Sequence, residues 1–557
     1  MRPGAARAAR WLAAAAALAA ACVWLYVVAV HADSSVVTSD GATVVLQGRA
    51  MAAGHLLLRG WNLSLDSWWS IDVPFYAVAT ALDGVRPLLL LLVPAVIAGL
   101  TVAAGVVLAR DRRPWRQPAA LAGAAVVLGV LALPDHELAN LFICSPIHVS
   151  TTLFALVAFI GLRRNRFGLG WVVAVLAFAA GLLGDLQMAL YGVVPAILAG
   201  GVASARRRSL RAGALSAGAA LASIGLAVVV RGLVDLVGGF TIGPANSVAS
   251  LSQIVSNVAS LPSYLGQMLG VVPGADGDGG VPFALLVVHV VSAALLLGCF
   301  LVAAVRLVGG AWRGRQRPGP PVGEGPAAAP DPDPEAWRVD DLLALGVAGS
   351  VAGFVLLTRT DQWLFQRYLT AGVILGAVLA GRMVGRRVAR RAALRSRRPA
   401  ITAATVAGAC FLAASAVQVA QPVPPQPTTR LVSFLEAHHL RLGVGAFWTA
   451  SLATVESGGR VVIRPVNIGG GETLTAYNKG GIQPWFGAFP PFQFLVYQGV
   501  AGSGDVSWWT ATATWGPPAR DYVLAGDYHV LVWSHPIRVT TVEPPYPGTL
   551  RGGSAAG

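Results

Sequence analysis

The sequence predicts a mainly α-helical, polytopic membrane protein, in which a bundle of about 11 transmembrane helices is followed by an extracytoplasmic α/β domain. Three observations support this fold class. The mean hydropathy is +0.64 and only 12% of the 557 residues are charged, which excludes a soluble globular chain of this length. Basic residues are concentrated in alternate loops. The last quarter of the chain has short strand-like patterns instead of long apolar runs.

The apolar stretches are the predicted spans. They lie at 11–30, 87–109, 118–134, 147–162, 168–184, 188–205, 212–230, 282–305, 341–358, 367–381 and 399–420. The first stretch follows a basic start and continues without charge through Val30, so we interpret it as a retained helix and not as a cleaved signal peptide. The four cysteines lie in or beside these stretches, which excludes a disulfide framework in the chain after residue 420.

The distribution of charge predicts the orientation. If the N-terminus is cytoplasmic, the loops on that side hold 27 of the 41 Lys and Arg, and the loops between spans on the other side hold 6. Positively charged loops resist translocation, so the 137 residues after the last span are predicted to lie outside the cytoplasm. The protein as a whole is predicted to be a multi-pass protein of the plasma membrane. We interpret the arginine runs at 206–208 and 386–398 as topology determinants and lipid headgroup contacts. The nearly neutral C-terminal part argues against nucleic-acid binding.

The predicted domains follow from these spans. Residues 1–420 form the membrane domain, 421–547 the outer α/β domain and 548–557 a disordered tail. The membrane domain has two long outer loops, 31–86 and 231–281, and a Pro-rich cytoplasmic linker, 306–340. Helical segments are predicted at Gly41–Ala53 in the first loop and, as an amphipathic surface helix bent near Pro262, in the second loop.

The outer domain is predicted to contain one short helix and several strands. The helix is Thr429–Leu440, and the strands are Arg460–Ile468, Phe492–Val500, Val506–Trp515 and Tyr522–Val539. Four tryptophans are candidates for stacking against sugar rings: Trp448, Trp485, Trp508 and Trp509. The alternative is that strand alternation buries about half of the aromatic residues as ordinary core.

Polar residues at the outer ends of the apolar stretches are the candidates for chemistry. Those predicted to line an acidic or polar cavity are Asp33, Asp66, Asp72, His136, Glu137, Asp185, Gln187 and Tyr368. His136 and Glu137, with His148 further along, are candidate metal ligands of irregular spacing, and the alternative is a solvated loop with a polar helix start. Asp40 lies about ten residues beyond the first span, where Ser39-Asp40 can also serve as a helix N-cap.

Two short sequences resemble a known family. Thr38-Ser39-Asp40-Gly41, followed by Gln47, Met51 and Gly54-His55, resembles the first outer loop of the GT-C superfamily of bacterial and other membrane glycosyltransferases. These are the polyprenyl-phosphate-sugar-dependent mannosyl- and arabinosyltransferase-like enzymes. Gln366-Arg367-Tyr368-Leu369 is similar to the Arg-Tyr-Leu that begins a late helix in many of them. Where the family often has a second acidic residue, this chain has Gly41.

The resemblance implies transfer of a sugar from a polyprenyl-phosphate donor to a cell-envelope glycan or protein, with Asp40 as general base. Arg367, with Arg359 nearby in sequence, can bind the donor phosphate because a guanidinium pairs bidentately with phosphate. A divalent cation, Mg or Mn, is left open. For Arg367 the alternative is an interfacial anchor. For the whole protein the alternatives are a transporter or flippase, or a non-catalytic glycan-binding envelope protein.

Overall fold

The structure is a computed structural model of the chain. It describes residues 3–31, 39–144, 148–164, 166–243, 248–272, 283–316, 334–358, 365–392 and 427–540, the last range without 469–472, 478–479, 483–484, 486–490 and 500–505, together with single positions between 409 and 423. The predicted span 399–420, the predicted tail and the middle of the predicted linker therefore fall largely or wholly outside the described residues.

Most of the described chain is helical. The α-helices are α1 (Pro3–His31), α2 (Ser39–Ala52), α3 (Val73–Asp83), α4 (Leu89–Ala109), α5 (Pro118–Leu131), α6 (His136–Phe142), α7 (Val149–Leu162), α8 (Leu169–Gly184), α9 (Val194–Arg207), α10 (Leu210–Leu236), α11 (Leu251–Met268), α12 (Phe283–Gln316), α13 (Pro334–Leu356), α14 (Arg367–Ala392), α15 (Pro427–Ala437), α16 (Phe447–Glu456) and α17 (Trp508–Trp515). A single π-helical turn, Ala189–Val193, precedes α9.

The strands are short. They are β1 (Trp61–Leu63), β2 (Thr241–Ile242), β3 (Leu442–Ala446), β4 (Val462–Ile468), β5 (Leu474–Ala476), β6 (Gly481–Ile482), β7 (Phe492–Gln498), β8 (Arg520–Leu524) and β9 (Tyr528–Ile537). By their contacts, the segments form two compact units that alternate along the chain. The helical unit comprises Met1–Ala32, Ala95–Val228 and Asn246–Pro422, and the sheet unit comprises Asp33–Pro94, Val229–Ala245 and Val423–Gly557.

The membrane character of the fold is confirmed. Within the described residues, seven helices are long and apolar enough to cross a membrane, or eight if the bent pair α5 and α6 counts as one span. The pair bends by 97° at a break before Asp135, because Pro134 disfavours a helical residue before it. Helices α7 and α8 have 14 and 16 residues, fewer than the roughly 20 that a straight span requires. The number of eleven spans stays a prediction.

The predicted linker is partly helical. Helix α12 continues to Gln316 and α13 begins at Pro334, so both ends of the range 306–340 are helical. Proline is favoured at the first position of a helix, because the N–H group that it lacks would have no acceptor within the helix there. The predicted helix of the second outer loop is α11, with Pro262 inside it. Ser250 and Gln253 form a capping box at its start.

Small residues and one buried arginine join the helices of the helical unit. Gly123 of α5 and Gly381 of α14 approach each other so closely that a Cβ on either would meet the carbonyl oxygen of the other, at 3.0 and 2.6 Å. Arg382 is fully buried, and it pairs with Asp340 at 2.7 Å and Asp111 at 3.1 Å. A buried guanidinium requires such partners, so these contacts join α13 and α14 to the turn after α4.

The sheet unit contains a six-stranded mixed sheet in the order β5-β4-β3-β7-β9-β8. Strand β3 is parallel to β4 and β7, and the other neighbours are antiparallel. A small second sheet joins β1 to β2 and β6. The two outer-loop segments 33–94 and 229–245 thus pack with the C-terminal part, which the sequence had assigned to a separate domain.

Two strand predictions in the C-terminal part are wrong. Residues 508–515 form helix α17, because Ser507 and Thr510 make a capping box that overrides the β-forming tendency of the Trp and Thr residues. The single strand predicted at Tyr522–Val539 is the hairpin β8–β9, which turns at Gly526 and Asp527, both with positive φ. Helix α15 and strands β4 and β7 confirm the other predictions, with ends shifted by a few residues.

Candidate functional site

A buried polar cluster lies in the helical unit where α7 begins and α8 ends. Helix α8 ends at Gly184, and Asp185 has an extended backbone conformation. His148 directly precedes α7 and has a left-handed backbone, with φ 63°. The π-helical turn begins four residues after Asp185. A non-glycine residue with positive φ and a π-helical turn are both enriched at functional sites, so their coincidence here marks this cluster as the candidate site.

Asp185 is the centre of the cluster. One carboxylate oxygen accepts hydrogen bonds from His148 Nδ1 and from the Thr151 hydroxyl, each at 2.6 Å. The other accepts from the backbone N–H of Gln187 at 2.8 Å. Asp185 and His148 are each about 1% exposed. A charge this deeply buried is stable only when its hydrogen-bonding capacity is used, and here three donors converge on it.

The second nitrogen of His148 defines the proton positions. Gln187 Nε2 lies 2.8 Å from His148 Nε2. An amide nitrogen can only donate, so His148 Nε2 accepts and the ring proton lies on Nδ1, where it is donated to Asp185. Burial acts to raise the pKa of Asp185, but the interaction with His148 and the hydrogen bonds from Thr151 and the Gln187 N–H outweigh it and hold that pKa below its usual range.

The start of α14 packs against this cluster. The ring of Tyr368 stacks on His148 with a centroid distance of 5.9 Å. The backbone carbonyl of Tyr368 accepts from the hydroxyl of Ser350, which in turn accepts from the N–H of Gly372. Gln366 donates to the carboxylate of Glu137 at 2.7 Å. The Arg-Tyr-Leu sequence and the His148–Asp185 pair, which are far apart in the chain, are therefore neighbours.

Of the predicted phosphate-binding residues, the structure describes Arg367 but not Arg359. Arg367 is the first residue of α14 and is half-buried, and its guanidinium carbon lies 5.3 Å from the centroid of the Tyr368 ring. The N-terminus of a helix favours anions, since its first backbone N–H groups lack acceptors within the helix. Here the N–H groups of Tyr368 and Leu369 already donate to the carbonyls of Phe365 and Gln366, so the phosphate-binding feature at this helix start is the guanidinium of Arg367.

His136 and Glu137 do not join His148. His136 Nε2 lies 3.0 Å from the side-chain nitrogen of Asn140, one turn later in α6. Glu137 binds Gln366 instead. The divalent-cation ligand types in the buried cluster are the carboxylate of Asp185 and the imidazole of His148. Each is hydrogen-bonded to the other at 2.6 Å, so a cation held between them would have to replace the Nδ1 proton.

The acidic candidates of the sheet unit lie on its first segment, apart from Asp33, which is outside the described residues. Asp40 is the second residue of α2 and is half-buried, so it occupies the first helical turn and not the capping position. A carboxylate there interacts favourably with the helix dipole. Asp66 is half-buried in the segment between β1 and α3. Asp72 is fully buried at the start of α3. The burial of Tyr76 and the negative charge of Asp72 raise the pKa of the Tyr76 hydroxyl.

The four candidate tryptophans have different surroundings. Trp485 contacts Trp61 edge-on at 5.4 Å and carries the guanidinium of Arg464 over its ring at 4.1 Å, so it belongs to the core. Burial lowers the pKa of Arg464 to about 10. Trp448 is half-buried. Trp508 packs partly against the core, and Trp509 beside it is 77% exposed. Trp509 therefore presents the most accessible ring of the four.

No motif in the sequence indicates a role for Thr151, and Gln366 stands out only as the neighbour of Arg367. A signal for Thr151 exists in the polar run Ser150-Thr151-Thr152 at the start of an otherwise apolar helix, because hydroxyls are uncommon there without a bonding partner. A scan of the chain against protein-family models and a search of curated proteins gave no match. The functional assignment accordingly depends on the residues of this chain.

Proposed function

We propose that the protein is an integral membrane glycosyltransferase of the GT-C type, which transfers a sugar from a polyprenyl-phosphate donor to a cell-envelope glycan or protein outside the cytoplasm. The observation that carries the proposal is the stacking of Tyr368 on His148 at 5.9 Å. Tyr368 belongs to the Arg-Tyr-Leu sequence, which resembles the helix start that binds the donor in that superfamily. His148 belongs to the buried, hydrogen-bonded pair with Asp185. The stacking therefore brings these two features together. The apolar helices and the separate sheet unit are consistent with the same plan.

The roles follow from what such a transfer requires. The acceptor hydroxyl loses its proton to Asp40 and attacks the anomeric carbon. The bond from that carbon to the phosphate oxygen breaks, and polyprenyl phosphate leaves with both electrons. Arg367, together with Arg359, binds the phosphate and stabilises the charge that develops on it. Direct displacement inverts the anomeric centre. In the extracytoplasmic orientation predicted from the basic loops, the donor reaches the site from the outer leaflet.

His148 and Asp185 act as positioning residues in this proposal. Tyr368 follows Arg367 directly, and its ring is held by His148 while its carbonyl is held by Ser350. These contacts fix the first turn of α14 and hence the origin of the Arg367 side chain. Catalytic groups need this support, since a misplacement of about 1 Å can cost about 100-fold in rate.

Transfer from a radiolabelled polyprenyl-phosphate sugar to isolated envelope acceptor tests the proposal. Asp40→Asn should lower the rate by about 100-fold or more, since an amide cannot accept the proton. Asp83→Asn is the matched control in the same unit, because Asp83 is 59% exposed and forms only a surface ion pair with Arg86. Unchanged transfer by Asp40→Asn would reject its assignment as base.

Donor binding is tested separately, because Arg367 and Asp40 belong to different units. Arg367→Lys should raise KM for the donor, since a lysine keeps the charge but loses the bidentate fork. Arg207→Lys, an exposed arginine of the same helical unit, serves as the control. A donor KM equal to that of the control would remove the phosphate-binding role. Transfer that persists with excess chelator would show that neither Mg nor Mn is required.

Glycan binding by the sheet unit is a second candidate function, favoured by the exposed Trp509 beside Trp508. Sugar C–H faces stack on such rings, and the loss of one aromatic contact weakens binding by about tenfold. We expect Trp509→Ala to lower binding of envelope oligosaccharide to the full-length protein. Val523→Ala, which removes an exposed apolar side chain from β8, is the control. Equal binding by both variants would exclude this role for Trp509.

A further inference from the structure

Two arginine-rich turns meet at one end of the helical unit. The turn after α4 contains Arg110, Arg112, Arg113 and Arg116, and the turn after α7 contains Arg163, Arg164 and Arg166. The guanidinium of Arg112 donates to the backbone carbonyl of Arg163 at 3.3 Å, which places the two turns side by side. This contact gathers seven arginines from separate parts of the chain at the ends of two apolar helices.

The carboxylates in this region do not balance the charge. Asp111 is paired with the fully buried Arg382 at 3.1 Å. Asp340 is paired with Arg382 at 2.7 Å and also with Arg386. Both carboxylates are thus used by arginines of α14, and the seven arginines of the two turns carry positive charge in excess.

Several guanidinium nitrogens in the turns have no hydrogen-bond acceptor among the described residues. They are Nε of Arg110, Nη1 of Arg113, and Nε and Nη1 of Arg163. The three side chains are half-buried, so they are only partly solvated. A buried donor without an acceptor is costly, and a charged donor more so. An anion that accepts from these groups would remove that cost.

Burial and the neighbouring positive charges also favour the binding of an anion at Arg113 and Arg163. Burial lowers the pKa of Arg113, and the charges of Arg386 and Arg382 lower it further against the opposing effect of Asp111. Burial likewise lowers the pKa of Arg163, with a further contribution from Arg112. Each guanidinium is therefore in surroundings that disfavour its own positive charge, and a neighbouring anion relieves this.

The neighbouring surface is apolar. Trp115, in the first turn, is 47% exposed, and the guanidinium of Arg110 lies 5.0 Å from its ring centroid. Phe167 and Leu169, which follow the second turn, are 72% and 80% exposed. Aromatic side chains beside the ends of apolar helices are typical of the membrane–water interface. A soluble anion gains nothing from this surface, whereas a lipid can place its phosphate on the arginines and its chains along the helices.

We propose that Arg110, Arg113 and Trp115 of the first turn, with Arg163 of the second turn and Phe167 beside it, form a binding site for the phosphate of an anionic phospholipid. Arg113 and Arg163 supply the principal hydrogen-bond donors, and Trp115 and Phe167 flank the glycerol and upper acyl region. The side of the protein is the one predicted to be cytoplasmic, where anionic lipids are enriched. The site is independent of the proposed transfer reaction, because none of its residues belongs to the machinery assigned above.

Lipid binding to the full-length protein in a neutral detergent tests the site. Native mass spectrometry would compare retention of dioleoylphosphatidylglycerol with that of dioleoylphosphatidylcholine. We expect the wild type to retain the anionic lipid at least about fivefold more, and Arg113→Gln and Arg163→Gln each to weaken it by about tenfold, the value of one charge-assisted hydrogen bond. Arg430→Gln, which removes an exposed arginine of the sheet unit, should leave retention unchanged.

Arg163→Lys is a second variant, which separates a loss of lipid binding from a failure to fold. It keeps the charge and loses the fork, so it should preserve the preference for the anionic lipid while shortening its retention. Equal retention of the two lipids by the wild type overturns the proposal, as does an equal loss of retention in Arg430→Gln. Displacement of the anionic lipid by millimolar inorganic phosphate, with the same dependence on Arg163, would assign the site to a soluble anion and refute the lipid.

Discussion

Asp185→Ala is the sharpest perturbation of the candidate site. It removes an acceptor on which His148, Thr151 and the backbone of Gln187 all depend, at 2.6, 2.6 and 2.8 Å. Breaking a buried pair by deleting one partner costs about 3–5 kcal/mol, because the remaining groups lose their partner without regaining water. We expect the free energy of unfolding to fall by about this amount.

Asp185→Asn should cost less, about 1–3 kcal/mol. Its amide can donate to His148 Nδ1 if the ring proton moves to Nε2 and Gln187 turns its amide to accept that proton. The hydroxyl of Thr151 can rotate to another acceptor, so the network is rearranged and not simply emptied. Asp83→Asn, at an exposed ion pair, should change stability by less than about 1 kcal/mol.

The assay is denaturant unfolding of the purified full-length protein in detergent, followed by intrinsic fluorescence. Because the folded-state pKa of Asp185 is lowered, its stabilising contribution is complete above its ordinary pKa of about 3.9 and is lost as the pH falls below that value. The difference between wild type and Asp185→Ala should therefore persist from pH 8 to pH 5 and shrink only below about pH 4. If Asp185→Ala were as stable as Asp83→Asn at pH 7, the stabilising role of the buried hydrogen-bond network would be refuted.

Three further outcomes follow from single contacts. Gly349→Ala should destabilise the protein by about 1–3 kcal/mol, since its Cβ would collide with the backbone carbonyl of Leu190, whereas Gly225→Ala, with open space around it, should be neutral or stabilising in the same unfolding assay. Glu456→Gln should raise the apparent melting temperature at pH 7 but not near pH 4. Burial raises the pKa of this carboxyl, so its charged form is a cost that grows as the pH rises above its ordinary value of about 4.3, and a pH-independent effect would contradict this. Ser507→Ala should cost about 1 kcal/mol in urea unfolding through loss of the capping box; no loss would show that α17 does not depend on its cap.

The elements of the fold that depend on local pattern could be predicted from the sequence. The long apolar helices, the helix that begins near Asp40 and the strands β4 and β7 are set by hydrophobic periodicity, which a sequence displays directly. Segment 508–515 was misassigned because its Trp and Thr residues favour strands, while its helix depends on two side-chain hydrogen bonds at Ser507 and Thr510.

The candidate site was only partly predictable. Asp185 and Gln187 were selected as cavity residues by their position between two spans, and the structure places them in one cluster with His148. The partner of Asp185 lies 37 residues away, and the partner of Glu137 lies 229 residues away. Spacing along one helix cannot reveal such pairs, since they depend on which helices pack together. For the same reason His136 and Glu137 appeared to belong with His148 and instead bind Asn140 and Gln366.

The interleaved make-up of the sheet unit has a consequence for biosynthesis. Thr43 donates a hydrogen bond to Ser451, 408 positions later, and Trp61 pairs with Ile482 in the small sheet. The early segment therefore leaves the ribosome long before its partners exist, and must wait through the insertion of every later span. Nascent chains arrested before residue 440 should expose this segment to protease. A fragment that starts at residue 423 would lack strands β1 and β2 and helices α2 and α3 of its own unit.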